Sequence, residues 1–411
     1  MNESRKTSTK NKVLRTKAEE PEWNPPGIVG DIVDPRIVMG HGAGGRKMHR
    51  LIKNVFVRYF GSPVLRKLAD GAVLPGFHGQ SGYSHGFPER SGTATVFLGG
   101  KRWQSHRKAV AVPCARTRGT PPIFPSLVMT TDSYVVQPLF FPGGDIGKLA
   151  VCGTVNDLAV MGAKPRFISL AFVLREGLEV TKLEAICRSI AAECRKAGVQ
   201  VVTGDTKVVE RGEAEELYVN TTGIGTLLPR AQLGPEQVKP GDSILINGPI
   251  GEHEAAIAVA RGAYRFKGKA ESDCAALDGL VLPLLAKPGV RLMRDPTRGG
   301  LATTLNEFAE ATRLGFVIDE AALPVSKHVQ SVAELLGLSP FYMANEGKVV
   351  VIADSRAEAR LLSKMRGHRL GRQAASIGQV VKKPEGVWLK TRLGSLRPLI
   401  MLEGEQLPRI C

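Results

Sequence analysis

A chain of 411 residues, 43% hydrophobic and 23% charged, has room for two domains with cores of their own and the balance of an ordinary globular protein. Its six cysteines form no C-x-x-C pair and no Cys/His cluster, which argues against a structural zinc site or a disulfide framework. No apolar run is long enough to span a bilayer and no hydrophobic signal core opens the chain, so a reducing cytoplasm is the expected location. The formal charge of +17 would suit a nucleic-acid partner, but nearly half of it falls in residues 1–27 (net +2) and 76–126 (net +6), two polar or basic stretches without sustained periodicity. A specific nucleic-acid function is therefore not expected, and non-specific attraction to polyanions stays open for these stretches.

From residue 28 the pattern is α/β. "RIVMGHGAGGR" reads as a strand entering a glycine-rich loop, with a helix over Met48–Phe60 after it. "LVMTTDSYVV" is a strand carrying Asp132. "GGDIGKLAVCGTVNDLAVMGA" is a long helix entered through Gly143 and Gly144 and closed by Gly162. "FISLAFVL" is a buried strand, and Thr181 with Glu184 predicts a capping box for the next helix, which Gly198 ends. Cys187 and Cys194 on that helix suit small buried hydrophobes. "VQVVTGDT" is a strand with an acidic exit, followed by "LYVNTTGIGTLL". A second unit begins near "VKPGDSILINGPIG" and runs through helices at "EHEAAIAVAR", "DPTRGGLATTLNEFAEAT" and "AEARLLSKM". The expected organisation is a basic tail (1–27), a first α/β domain (28–235), a second (236–403) and a mobile tail (404–411).

"GHGAGG" matches a dinucleotide fingerprint but lacks its acidic residue about twenty positions on. The first acidic residue after Arg46 is Asp70. The glycines Gly42, Gly44 and Gly45 can still bring backbone N–H groups to a phosphate, or simply form a turn. "GGDIGKLA" fails as a P-loop because Leu149 stands where Ser or Thr would hold magnesium. Acidic motifs offer another route: Asp132 in "TTDS", Asp157 in "VNDLA", Asp205 in "TGDT" and Asp70 in "LADGAVL". Each alone reads as a cap or turn residue. Together they suit Mg²⁺, which takes one or two carboxylates with water and phosphate. Lys148 and Lys207 would neutralise phosphate oxygens, and an ATP site without a P-loop follows.

"TTDSYVVQPLFFPGGDIGKLAVCGTVNDLAVMGAKP", "TGDTKVV", "NTTGIG", "DPTRGGLA", "NEGK" and the closing "PRIC" together resemble the HypE family of hydrogenase maturation proteins. These are carbamoyl dehydratases of the aminoimidazole ribonucleotide synthetase and selenophosphate synthetase superfamily. The resemblance covers residues 28–75 and 127–411, and the closing Pro-Arg-Ile-Cys is its most specific part. It implies an α/β fold of the α+β type. The N-terminal domain would contribute strands to a dimer-forming sheet or barrel, and the C-terminal domain would be an α/β sandwich-like unit. It implies that Cys411 is a substrate carried on the enzyme's own tail. In that family a carbamoyltransferase, HypF, loads the thiol. The family then uses ATP to drive dehydration of the carbamoyl group to a thiocyanate, and the cyano group passes to iron on a HypC–HypD complex for the [NiFe]-hydrogenase centre.

The resemblance also places ATP phosphates and Mg²⁺ at Asp132, Asp157 and Asp205, with Asp70 as a further metal candidate and Thr206 and Lys148 in the nucleotide set. Asp157 could instead position the tail or the nucleotide. Lys207 and Glu346 match residues that act on the tail amide, Glu346 as base, unless Glu346 is an ordinary loop carboxylate. Asp295 and Arg298 either line the same cleft or cap the helix beginning near Gly300. Arg409 is the candidate to hold the Cys411 thiolate, since a free thiol titrates near ~8.5. From Gly404 the tail can reach roughly 25 Å at ~3.3 Å per extended residue.

About fifty residues (76–126) stand where the family has a short connection, either an insertion or a stretch read in a shifted frame. Two other readings remain open: a superfamily synthetase or kinase acting on a free small molecule, and a non-enzymatic maturation scaffold.

Overall fold

A computed structural model describes residues 34–43, 46–62, 109–112, 126–262, 270–404 and 406–411. Asp70, Gly44, Gly45 and nearly all of the 76–126 stretch lie outside the described residues, as does the basic N-terminal tail.

The first half is one sheet under two helices. Its opening segment docks without forming a strand. Ile37 N–H donates to Leu178 O at 2.7 Å and its carbonyl accepts from Gly177, leaving one isolated bridge, Arg36 to Glu179, and a 3₁₀ turn at Met39–His41. The expected strand is absent because this backbone is already paired to a loop. The helix that follows runs α1 (Arg46–Leu51), a π-helical stretch (Ile52–Val57) and α2 (Arg58–Phe60), two residues longer at its start than the periodicity predicted.

Next come β1 (Ala109–Val112), β2 (Leu127–Tyr134), a small hairpin of β3 (Phe140–Phe141) and β4 (Gly144–Asp145), α3 (Ile146–Val160), β5 (Ala163–Arg175), α4 (Val180–Ala197), β6 (Gln200–Val209) and β7 (Leu217–Leu227). The sheet order is β1-β2-β7-β5-β6, all antiparallel except β5 with β6.

Helix α3 starts at Asp145 rather than at the glycines, because the Asp145 carboxylate accepts from the N–H groups of Gly147 (2.7 Å) and Lys148 (3.0 Å). All its residues but Lys148 are buried, so an ordinary apolar stripe is missing from its sequence. The capping box expected on α4 does not form. Val180 N–H is satisfied by Pro35 O at 3.0 Å, Glu179 is the N-cap without a side-chain bond, and Glu184 pairs with Arg58 at 3.9 Å. Cys187 and Cys194 are buried in the α3–α4 core.

The second half contains β8 (Ser243–Ile246), α5 (Glu252–Ala260), α6 (Asp278–Val281), β9 (Val290–Arg294), α7 (Gly300–Thr312), β10 (Gly315–Asp319), α8 (Lys327–Leu336), β11 (Val350–Ala353), α9 (Glu358–Arg366), β12 (Ala375–Val381), β13 (Gly386–Lys390) and β14 (Leu396–Pro398). Its sheet order is β14-β13-β10-β12-β8-β11-β9. Core residues of α7 and β10, among them Leu305, Phe308 and Phe316, fill one side of this sheet; α6 and α9 contribute Leu280 and Leu361 to another cluster, which reaches Ala159 of α3.

Alternation along the first sheet decides what each acidic motif faces. Val128, Thr130 and Tyr134 of β2 are buried toward α3, and Asp132 shares their face at period two. In β5 the same face carries Leu170 and Phe172, which pair with Thr221 and Thr206. Asp205 and Lys207, opposite Ala171 and Val173, therefore point to the other side of the sheet.

Candidate active site

Five segments converge on one small cavity lined by Asp132, Tyr134, Gly153, Asp157, Asp295, Thr297, Glu346 and Cys411. β2 contributes Asp132 and Tyr134 from its inner face. α3 contributes Gly153 and Asp157, four apart and so on one side of the helix. Gly153 is required by proximity, since a Cβ there would lie 2.3 Å from the Tyr134 hydroxyl oxygen. Asp157 is 8% exposed and accepts from the Thr130 hydroxyl at 2.7 Å.

The β9–α7 loop brings Asp295, Thr297 and Arg298. The loop before β11 brings Glu346, and Asn345 ties the two loops together. Its side-chain amide donates to Pro296 O at 2.9 Å, and its carbonyl oxygen accepts from Gly251 N–H at 2.7 Å.

Glu346 is held from beneath by a buried ion pair. The Asp273 carboxylate accepts from the N–H groups of Glu346 and Gly347, both at 3.1 Å, and from Lys348 Nζ at 2.9 Å; Lys348 also pairs with Glu252 at 3.2 Å. Burial, the largest single influence, would raise the Asp273 carboxyl, but Lys348, His253 and the Glu346 N–H together outweigh it and hold the group below its usual range. Burial likewise works to lower Lys348, and Asp273 and Glu252 keep it protonated. Gly347 permits this contact, because a Cβ would sit 1.9 Å from Asp273 O. Asn, Glu, Gly and Lys of "NEGK" thus have separate tasks: tie, present, approach and neutralise.

The tail closes the site. Ile410 and Cys411 are each 7% exposed and belong to the first core. Cys411 Sγ accepts from Arg298 Nε at 3.1 Å. Cys411 is foremost in raising the Arg298 pKa, with burial opposing, so the guanidinium stays charged. Arg409, expected beside the sulfur, instead forms an ion pair with Glu215. Arg298 takes the place assigned to it, because the chain turns at Arg409 and sends that side chain outward. Burial, then Asp132, Asp157 and Glu346, push the Tyr134 phenol well up, so it remains a hydroxyl. The closed cavity leaves about 10 Å³, room for about one water.

Of the residues expected from sequence, Asp132, Asp157, Glu346 and Cys411 meet here, and Asp295 and Arg298 line the same cleft. Asp205 and Lys207 lie 3.9 Å apart on the outer face of the sheet, both largely exposed. β6 is three strands from β2, roughly 14 Å at ~4.8 Å per strand. Thr206 is buried on the inner face, and Gly42 packs against Val208 N of the same strand. Lys148 Nζ donates to Gly143 O at 2.7 Å. Tyr134, Thr297, His253, Arg261 and Asp273 had no assigned role in the sequence; only the helix and loop patterns around them were visible.

Residues 124–227 match the family described as AIR synthase related protein, N-terminal domain, and residues 239–390 its C-terminal domain. The Carbamoyl dehydratase HypE of Cupriavidus necator is 43% identical over 383 residues, covering 93% of this chain and 96% of that protein. The chain belongs to the HypE family. A crystal structure of HypE in complex with ATP superposes with a TM-score of 0.76 at 39% identity, over 91% of this chain and 99% of that one. HypE from a crystallised HypE–HypF complex gives 0.66 at 43% identity, over 67% and 90%. No helix among the described residues is long and apolar enough to cross a membrane.

For Mg²⁺, the cavity offers hard oxygen donors, Asp132 and Asp157 foremost. Among the described residues no three His, Cys, Asp or Glu side chains form a ready cage. That arrangement fits an ion bound through one or two carboxylates and completed by water and phosphate.

Proposed function

We propose that this HypE-family chain is an ATP-dependent carbamoyl dehydratase acting on its own Cys411, and that its product is the thiocyanate from which the hydrogenase iron receives cyanide. The observation that carries this reading is the placement of the terminal cysteine. Its sulfur lies inside a carboxylate-lined cavity beside a guanidinium. A free-substrate synthetase has no use for such a cork.

The reaction requires that the carbamoyl oxygen of Cys–S–C(=O)–NH₂ accept the γ-phosphoryl group of ATP. Two N–H protons and phosphate are then lost, giving Cys–S–C≡N. Glu346, presented by Asp273 and the only glutamate lining the cavity among the described residues, would take a proton from nitrogen. The Tyr134 hydroxyl and Arg298 stay protonated and can donate to the amide oxygen or hold the sulfur. Asp132 and Asp157 would hold Mg²⁺, which supplies neutralisation of phosphate charge.

The outer face of the first sheet, with Met129 50% exposed, is the proposed homodimer surface. Asp205 and Lys207 open onto it, so their assigned roles toward metal, phosphate and the tail amide require a second copy to bring that face to a cavity. A HypF-type carbamoyltransferase is the proposed loader, as in the relative crystallised with HypF, and a HypC–HypD complex the proposed acceptor.

Intact-protein mass spectrometry tests the reading. With the carbamoyltransferase and its substrates, the chain should gain one carbamoyl group, then lose one water mass when Mg·ATP is added. Neither change should occur in Cys411→Ala. Carbamoylation without any loss of water would refute the dehydratase, and ATP turnover by Cys411→Ala on a free substrate would favour the synthetase.

A further inference from the structure

The last four residues are gripped mainly through their backbone. Arg261, at the end of α5, donates through Nη2 to Pro408 O at 2.6 Å and to Arg409 O at 2.7 Å, and through Nε to Gln137 O at 2.9 Å. Gln137 N–H donates to the same Arg409 O at 3.2 Å. About two turns earlier on α5, His253 Nε2 meets Ile410 O at 2.7 Å, while Nδ1 meets the Ser272 hydroxyl at 2.7 Å. A carbonyl only accepts, so Nε2 carries the hydrogen and Ser272 donates to Nδ1. Three consecutive carbonyls are thus engaged in order, and the next group along is the sulfur at Arg298.

Two carbonyls in a row reach one nitrogen because the chain bends sharply there. Arg409 has φ +55°, one of two non-glycine residues with positive φ among the described residues. Its ion pair with Glu215 helps hold this disfavoured conformation.

We propose that Arg261 and His253 are positioning residues that form a register clamp. They measure the tail by its carbonyls and so place the residue that follows them, Cys411, at the cavity. This rests on reading Cys411 as the substrate. The clamp resolves a difficulty inherent in carrying a substrate on a flexible arm: a tether alone brings the thiol near, but does not fix which tail atom lies at Glu346. Contacts to main-chain oxygens set the register, and the Arg409 side chain supports it through Glu215. The strained turn lowers the cost of release to a loading partner.

The test is the alkylation rate of Cys411 by iodoacetamide in the full chain, read by peptide mass spectrometry, without partner or nucleotide. Arg261→Met should raise the rate on the order of tenfold, the loss expected when hydrogen bonds from a charged donor are removed. Arg261→Lys should recover part of the protection. A glycine inserted between Ile410 and Cys411 should also raise it, whereas one inserted between Glu403 and Gly404, outside the clamp, should not. In chains already carbamoylated, Arg261→Met should slow dehydration while leaving the half-saturating ATP concentration unchanged. Equal alkylation of wild type and Arg261→Met, or equal effects of the two insertions, would overturn the clamp. If the alkylation results hold and the loaded wild type never loses water, the clamp stands and the dehydratase reading falls.

Discussion

Replacing Asp273 by Asn tests whether the floor under Glu346 is what organises the site. The variant removes the negative member of a buried pair and leaves Lys348, 6% exposed, with the partly exposed Glu252 at 3.2 Å as its remaining ion-pair partner among the described residues. Breaking such a pair costs about 3–5 kcal/mol, because the remaining charge is uncompensated. The amide can still accept one of the two backbone N–H groups, so the loss should fall toward the lower half of that range. Urea unfolding followed by circular dichroism should show a lower midpoint with unchanged slope. Asp273→Asn/Lys348→Met should recover most of the loss, since a pair removed together leaves no orphan.

The pH dependence has a definite sign. Asp273 is depressed in the folded state, so its contribution is present above the ordinary carboxylate range, around pH 4, and is lost as pH falls below it. Asp273→Asn should flatten that acid limb. A loss under ~1 kcal/mol, the scale of an exposed pair, would refute the reasoning.

Three further outcomes follow from the geometry. Thr130→Val removes the 2.7 Å hydrogen bond to Asp157 and should cost about 1–3 kcal/mol; single-turnover dehydration should fall at least in proportion, with tail loading unaffected. Gly153→Ala forces a Cβ to 2.3 Å from the Tyr134 hydroxyl, so we expect about 1–3 kcal/mol of overpacking and a crystal structure with a displaced phenol. Native-state alkylation at pH 8 should spare Cys194, whose thiol burial pushes up to about 12. Cys187, raised by burial, and Cys274, raised by its contact with Cys152 and by burial, should be spared as well. Peptide mapping reads all three at once.

The elements with strong patterns were legible in the sequence. Strands β2 and β6 lie where alternation puts them, helix α3 ends just before its predicted glycine but begins at Asp145, and Asp132, Asp157, Glu346 and Cys411 line one cavity. The misses have physical reasons. The segment around Ile37 has a strand's composition, but its backbone is taken up by Gly177 and Leu178. The α4 N-terminus looked like a capping box, yet Pro35 O satisfies its first N–H from outside the local sequence. Which face a motif occupies depends on strand pairing, so "TGDTK" could be seen as acidic and basic but not as pointing away from Asp132. Arg298 rather than Arg409 meets the sulfur, because the left-handed conformation at Arg409 sends its own side chain to Glu215. His253, Arg261 and Asp273 each bond a group at the site more than 70 positions away in the chain, and no short-range signal marks such partners.

A cavity stoppered by the chain's own last residue changes what competition means at this site. Tethered from Gly404, the terminal sulfur is present at an effective concentration in the millimolar range, however dilute the protein. A free thiocarbamate or small thiol would have to exceed that level to enter, so selectivity needs no pocket shaped to reject it. If Cys411 carries the substrate as proposed, the same arithmetic makes each polypeptide a single-charge device: it holds one group, converts it once, and is idle until another protein draws the arm out and recharges it. Throughput then scales with the number of chains and the pace of handover, not with how fast the chemistry could run.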